Sequence, residues 1–366
     1  MNFPVSVIIP TYQRANLIGE TIESVLAQTI TPNEVIIVDD GSTDDTELVC
    51  RQFGDRIMYR KTENRGCQSA RNTGASLSSS PWLTFLDSDD LMQPDHLESI
   101  ARLVVLCPQV NFVFSNWMVF GENVDDLWRT TSAFDMAPKG FWDIAKRRVG
   151  DAALLDGCSL ALSLLDALDF QPIWSTCCIS RELFNRAGGY DPGMSGVPSE
   201  DFEFTFRCLI GGGEVGMTTR PTLRIRKHGG NTRGGGIRQA IGEMVVYGHI
   251  ARRHILQSSL SKKALEKARF RCVDALNFAF ASGQLGYVRA LSRPVRMDRK
   301  HLSGKLMMKI AVASLPVGVG RILNSILVRR KIEDSRPISS RLESKLYETV
   351  DFLSGTASAS KANQGQ

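Results

Sequence analysis

Three carboxylates fall within Phe85-Leu86-Asp87-Ser88-Asp89-Asp90, directly after a short apolar run. Acids at i and i+2 on a turn can converge on one hard divalent cation. Mg²⁺ or Mn²⁺ takes such oxygen ligands and leaves positions for substrate phosphates. An ion held there would neutralise charge building on a diphosphate leaving group. The plainer reading is a solvated acidic turn. A second pair, Asp39-Asp40, ends another apolar run and precedes Gly41-Ser42-Thr43; a carboxylate there suits a base N–H or a ribose hydroxyl. Asp44 and Asp45 are better explained by the dipole of a helix N-terminus. Arg71 stands on a helical stretch leading toward the 87–90 turn, as a nucleotide contact or as a surface arginine.

Carboxylates this far apart in the chain meet only on a scaffold, and the first hundred residues read as one. Residues 5–9 and 35–38 are apolar runs of buried-strand length, 57–59 is a shorter third, and 82–86 a fourth. Between them, Asn16 opens a segment with Ile18, Ile22, Val25, Leu26 and Ile30 at helical spacing, and 66–77 reads as another helix. Strands alternating with helices over short loops predict βαβ units and a mainly parallel sheet. Ligands bind such sheets outside the carboxyl ends of the strands. The polar clusters 10–14, 39–43 and 87–90 all fall at those ends.

From 111 to 172 the periodicity weakens, and the stretch reads as a variable excursion that would choose the acceptor. Order returns over 174–180, with a helical turn at 181–187, a turn at 188–191, a helix at 200–209 and a basic strand at 222–227. Glycine clusters at 211–213 and 234–236 bracket that strand as candidate hinges. Phe202, Phe204 and Phe206 read as packing. Residues 240–290 read as helices, and 291–366 as a basic, partly amphipathic region ending in the low-complexity SGTASASKANQGQ.

The 366 residues, 43% hydrophobic and 23% charged, suit one large α/β domain with an accessory region, or two domains. A net charge of +5 does not by itself call for nucleic acid, and none is expected as a partner. The 8 cysteines form no CxxC pair or Cys/His cluster of zinc spacing, which fits free thiols in a reducing cytosol. The N-terminus shows no charged leader, and no apolar stretch reaches the ~18–20 residues of a spanning helix. A cytoplasmic location is expected.

SVIIPTYQRANLI (6–18), EVIIVDDGSTDDT (34–46), NRGCQSARNTG (64–74) and FLDSDD (85–90) occur in this order and spacing. Together they resemble the family 2 inverting glycosyltransferases of GT-A fold, in their non-processive form, over residues 4–232. The resemblance implies that Pro10, Thr11 and Tyr12 line a base pocket and that Asp39 binds a uracil or thymine ring. It implies that Arg71 supports the nucleotide, that Asp87 meets the ribose or sugar, and that Asp89 holds the metal. Arg14 and Ser88, inside the same motifs, are counted with the donor site. Ser199-Glu200-Asp201 resembles the family's Glu-Asp segment, in which an acid at a helix start is the catalytic base. Asp201 is expected in that role ahead of Glu200, though either acid could cap the helix. Residues 223–232 resemble the family's terminal basic segment, which would make His228 a metal or diphosphate ligand and Arg226 and Lys227 phosphate contacts. The Gln-x-x-Arg-Trp segment and spanning helices of processive members are missing, which points to addition of one or a few sugars.

The expected fold is α/β of GT-A type: a Rossmann-like mixed, mainly parallel sheet flanked by helices, with a C-terminal helical extension. The catalytic domain is expected over 1–235, with its nucleotide-sugar half over 1–110 and its acceptor and base half over 111–235; a helical region follows over 236–350, and a disordered tail over 351–366. The expected reaction moves a sugar from a UDP- or dTDP-sugar, with Mn²⁺ or Mg²⁺, to a hydroxyl of a glycan or lipid-linked acceptor. Such an activity would serve polysaccharide, glycolipid or cell-surface glycan synthesis. Two other readings stand beside it. A sugar-phosphate nucleotidylyltransferase would want a glycine- and lysine-rich loop where Pro10-Thr11-Tyr12-Gln13-Arg14 stands. A silent GT-A-like scaffold fits poorly with the joint presence of Asp39, Asp87, Asp89 and Asp201. Across 299–331, eight Lys/Arg and no acids are interleaved with Leu302, Leu306, Ile310, Val319, Ile322, Leu323 and Ile326. That pattern fits peripheral contact with the inner face of the cell membrane, or equally a basic helix packed on the catalytic domain. Pro316 is expected to split the segment into two short helices.

Overall fold

The computed structural model describes residues 3–122, 124, 131–166, 173, 177–228, 236–254, 258–297, 303–328 and 338–355. The chain forms two compact units, Met1–Ser195 with Phe204–Asn231, and Gly196–Glu203 with Thr232–Gln366. In the first, strands β1 (Val5–Thr11), β2 (Glu34–Asp39), β3 (Met58–Lys61) and β4 (Trp82–Phe85) alternate with helices α1 (Ile18–Leu26), α2 (Thr46–Arg51) and α3 (Cys67–Leu77). They pair in parallel in the order β3-β2-β1-β4, since each connection crosses over through a helix. Val7, Ile8, Ile9, Ile36, Ile37 and Val38 are fully buried, and strands covered on both faces read as continuous apolar runs. Helix α1 shows the other period, with Ile18, Thr21, Ile22 and Val25 inward.

Beyond β4 the sheet is mixed. β9 (Cys177–Ser180) lies antiparallel between β4 and β6 (Phe112–Gly121). β10 (Glu214–Lys227) runs parallel to β6, and β8 (Ala152–Asp156) and β7 (Ala145–Val149) complete the edge antiparallel. The 111–172 stretch is therefore no excursion: it supplies three strands of the main sheet, followed by α5 (Gly157–Asp166). Ser115 and Asn116 interrupt the apolar run of β6, yet both are buried. Asn116 is satisfied across the fold, donating to Ser132 Oγ and the Thr219 carbonyl and accepting from the Phe134 amide.

β10 is also longer than the expected 222–227. Pro221 falls at its register shift, where Glu214–Thr218 leave β8 and Leu223 and Arg224 take up β5 (Leu91–Met92). A proline in a paired strand is tolerated at such an irregularity. The change of partner brings the end of β10 beside the 87–90 turn. Helices α4 (His96–Leu106), α6 (Arg181–Ala187) and α7 (Glu200–Gly212) complete this part of the chain. Phe202, Phe204 and Phe206 are buried, as expected. Trp174, Gly234 and Gly235 lie outside the described residues.

The second unit is helical: α8 (Gly236–Arg253), α9 (Ser258–Ala281), α10 (Leu285–Met297), α11 (Gly304–Ser314), α12 (Val317–Leu327) and α13 (Ser340–Leu353). The break expected at Pro316 is present, for α11 ends at Ser314 and Pro316 precedes α12. Helix α13 runs to Leu353, past the expected limit at 350. Residues 299–302 and 329–331 of the expected membrane segment, and 356–366 of the expected tail, lie outside the described residues. Among the described residues no helix is long and apolar enough to cross a membrane.

Candidate active site

The ends of β1 and β2 lie side by side, with Pro10 opposite Val38 and Thr11 opposite Asp39. Thr11 is buried and its hydroxyl has no hydrogen-bond partner among the described residues, whereas Tyr12 next to it is 46% exposed. Asp39 is fully buried. Its Oδ1 accepts the Ser42 amide at 2.8 Å and its Oδ2 the Tyr59 hydroxyl at 2.6 Å, so in this conformation it shapes the turn and meets no solvent. Asp40 holds the next loop by accepting the amides of Arg65 and Gly66, each at 2.8 Å. Burial outweighs those bonds and raises its pKa, with the Asp39 charge adding to the shift.

Gln13 ties the two loops together, and nothing in its local sequence singles it out. At a φ of 53° it is in the left-handed region. Its amide donates to Ser42 Oγ at 2.9 Å, its Nε2 to Thr43 Oγ1 at 2.9 Å, and its Oε1 accepts the Asp44 amide at 3.1 Å. Arg14, next along, donates its amide to Thr46 Oγ1 at 2.9 Å. The loop thereby aims the Arg14 guanidinium at Asp89, 3.6 Å away.

Asp89 is where the pieces converge. Its Oδ2 is 3.0 Å from His228 Nε2, and its side chain is 13% exposed. Arg226 braces the arrangement: its amide donates to Asp90 Oδ1 at 2.8 Å, its Nε to the Asp89 carbonyl at 2.8 Å, and its Nη2 to Glu20 at 2.6 Å. Expected to meet phosphates, Arg226 is instead engaged in holding the turn. Burial, reinforced by the Asp89 and Asp87 charges, raises the Asp90 pKa well above the carboxylate range.

Arg71 is no surface arginine. Its side chain is 4% exposed, bonds Asp87 Oδ1 at 2.7 Å, and lies 5.0 Å over the Tyr190 ring. Asp87 itself stays 32% exposed. Asn72 accepts the Tyr190 amide at 2.9 Å and donates to the Tyr190 carbonyl at 2.8 Å, so α3 places both Arg71 and the ring above it. Ser88 is buried, and its carbonyl accepts from Thr21 Oγ1 at 3.1 Å.

Glu200 and Asp201 open α7, and both are half-buried. Ser199 before them has a φ of 66° and accepts a hydrogen bond from Gln239 at 2.9 Å. Asp201 Oδ1 accepts the Phe202 amide at 2.9 Å. The buried acid of this segment is Glu203, 3.3 Å from Arg253 and 3.7 Å from His249, and sequence reasoning passed it over. Residues 200–203 fall in the second unit and the 87–90 turn in the first.

Among the described residues no group of three or more His, Cys, Asp and Glu side chains forms a metal cage. Asp89 and His228 offer one carboxylate and one imidazole, which suits an ion that takes its remaining ligands from phosphate and water. Residues 6–166, which carry the strands and turns from β1 to α5, match the model of Glycosyl transferase family 2. The chain is 34% identical over 122 residues to Glycosyltransferase GlyA of Streptococcus pneumoniae, covering 32% of this chain and 17% of the relative. It is 32% identical over 218 residues to validoxylamine A glucosyltransferase of Streptomyces hygroscopicus subsp. limoneus, covering 55% of this chain and 47% of the relative. It thus spans less than half of either relative. Its fold is shared with S. aureus TarS 1-349, solved in complex with UDP, at a TM-score of 0.52 over 97% of this chain and 91% of that one, with 16% identity. The fold is GT-A, a mixed sheet flanked by helices with further helices toward the C-terminus, as expected.

Proposed function

We propose that this chain is an inverting glycosyltransferase that moves a sugar from a UDP- or dTDP-sugar to an acceptor hydroxyl, in the synthesis of a polysaccharide, glycolipid or cell-surface glycan. The observation that carries the reading is the convergence of Arg14, Asp89 and His228 beside the Arg71–Asp87 pair. The match of residues 6–166 to the family 2 model supports it, as does a shared fold with a protein solved with UDP. Asp87, oriented by Arg71, accepts a hydrogen bond from a ribose or sugar hydroxyl. The buried Thr11 hydroxyl and exposed Tyr12 meet the base, with Asp39 supporting the pocket behind them. Arg14 places its charge against the diphosphate. Asp89 and His228 would hold Mn²⁺ or Mg²⁺, which when bound supplies Lewis-acid neutralisation of the departing diphosphate.

Asp201 is the proposed base. It takes the acceptor's hydroxyl proton as that oxygen bonds to the anomeric carbon, and the bond from this carbon to the diphosphate breaks with its electron pair leaving on the nucleotide. The deciding experiment is nucleotide release by purified protein from UDP- and dTDP-sugars with and without Mn²⁺. Asp89→Ala is expected to abolish the divalent-dependent turnover. Unchanged turnover in that variant would remove the metal assignment. No release from any donor would favour the silent scaffold, and pyrophosphate made from a sugar phosphate and a nucleoside triphosphate would favour the nucleotidylyltransferase.

A further inference from the structure

Helix α12 is packed with its aliphatic side outward. Its buried residues are Gly320 and Asn324, while Val319, Ile322 and Ile326 are 49%, 63% and 69% exposed. At about 100° per residue those three fall within about 60° of one another, on the side away from Gly320 and Asn324. The inward contact is close, for a Cβ on Gly320 would lie 2.9 Å from the Val312 carbonyl oxygen of α11. Val317 and Leu327, at the two ends of the helix and off that stripe, are exposed too, as are Met307 and Met308 of α11. A helix that buries its small and polar side and leaves three aliphatic side chains in water forgoes hydrophobic stabilisation, and such patches mark interaction sites.

The helix that carries this face has cationic surroundings. Residues 303–328 contain Lys305, Lys309 and Arg321 and no acid. At the first turn of α12, on the side opposite the stripe, Val317 lines an open cleft of about 620 Å³ bordered by Arg289, Arg293, Arg296 and Ser314. Arg289 is fixed there by the carbonyls of Ala313 and Leu315, and Arg293 pairs with Asp351 at 3.0 Å. We propose that this face docks on an anionic lipid surface, with the α12 stripe at the acyl boundary and the arginines on the polar side of the helix at the level of the headgroup phosphates. A bilayer of that kind supplies hydrocarbon and negative charge together. A second copy of the chain, meeting this face across a two-fold axis, would set like charges against each other.

Co-flotation of the full chain with phosphatidylcholine vesicles, with and without phosphatidylglycerol, tests the proposal. The protein is expected to float with the phosphatidylglycerol vesicles at low salt, and to be released by high salt or by omission of the anionic lipid. Ile322→Asp/Ile326→Asp alters only exposed side chains and should lower the bound fraction at least about tenfold, with an unchanged circular dichroism spectrum. Arg296→Glu, at the rim of the cleft, should weaken binding without touching the stripe. The proposal is overturned if the protein stays in the soluble fraction with anionic vesicles at low salt, or if both variants float like the parent. Vesicle-free self-association that the isoleucine variant dissolves would overturn it in favour of a second copy.

Discussion

At the scale of single residues, neighbouring acids have separate fates. In the 87–90 turn Asp87 keeps a third of its surface open, Asp89 faces His228 and Arg14, and Asp90 is buried under the Arg226 amide. Glu200 and Asp201 differ by about 100° around α7, so one of them at most can face a given atom of an acceptor. Asp201 is the proposed base, and Asp201→Asn keeps its shape while removing the proton acceptor. The variant should lose about 10²–10⁴ in turnover with donor affinity nearly unchanged, read as kcat against nucleotide binding by titration. Near-normal turnover in Asp201→Asn with loss in Glu200→Gln would reverse the assignment.

At the scale of elements, the parallel sheet is tied to its loops by a few contacts that carry stability. Glu34, at the start of β2, accepts the Ser79 amide at 3.0 Å and its hydroxyl at 2.8 Å, and the hydroxyls of Ser6 and Ser80 also reach it. Burial alone would raise its pKa, but these hydrogen bonds prevail and bring it from 4.5 down to about 2. A carboxylate lowered in the folded state contributes stability that is complete above its unfolded pKa and lost as pH falls through the folded one. The stability gap between the natural protein and Glu34→Gln, from urea unfolding, should therefore be flat above about pH 5 and shrink toward about pH 2. A gap independent of pH would contradict the clamp. Helix α3 rests on β1 at Gly74, where a Cβ would overlap Ile8 Cγ2. Gly74→Ala should cost about 1–3 kcal/mol by overpacking, despite alanine's better helix propensity. A stabilised variant would show that α3 can shift freely on the sheet.

At the scale of the whole molecule, a ligand that binds only the folded state stabilises it by mass action. UDP with Mn²⁺ at a hundredfold excess over its Kd should add about 2.7 kcal/mol, seen as a rise in Tm. The chain forms two compact units and need not melt as one, so the rise is read on each transition separately. Arg71→Met should lose the shift, because Asp87 then lacks the cation that orients it. A full shift in that variant would separate the pair from donor binding.

Short-range patterns carried most of what was legible in the chain. Apolar runs of strand length, helical spacing in 18–30, and acids directly after strands are local features, and they located β1 to β4 and the turns at 39–43 and 87–90. The split at Pro316 was readable for the same reason, since proline acts on its own turn. β6 was not, because Ser115 and Asn116 look unfit for a buried strand until Ser132, Thr219 and Phe134 are brought to them. The fates of polar side chains were equally hidden. Asp39 is enclosed by Tyr59, Arg226 is engaged by Asp90 and Glu20, and Asn72 grips Tyr190 from 118 residues away. The outward stripe of α12 belongs with them, for an amphipathic pattern shows that a helix has an apolar side and leaves open whether the core takes it. Burial and pairing are properties of contacts made across the chain, and local periodicity holds no record of them.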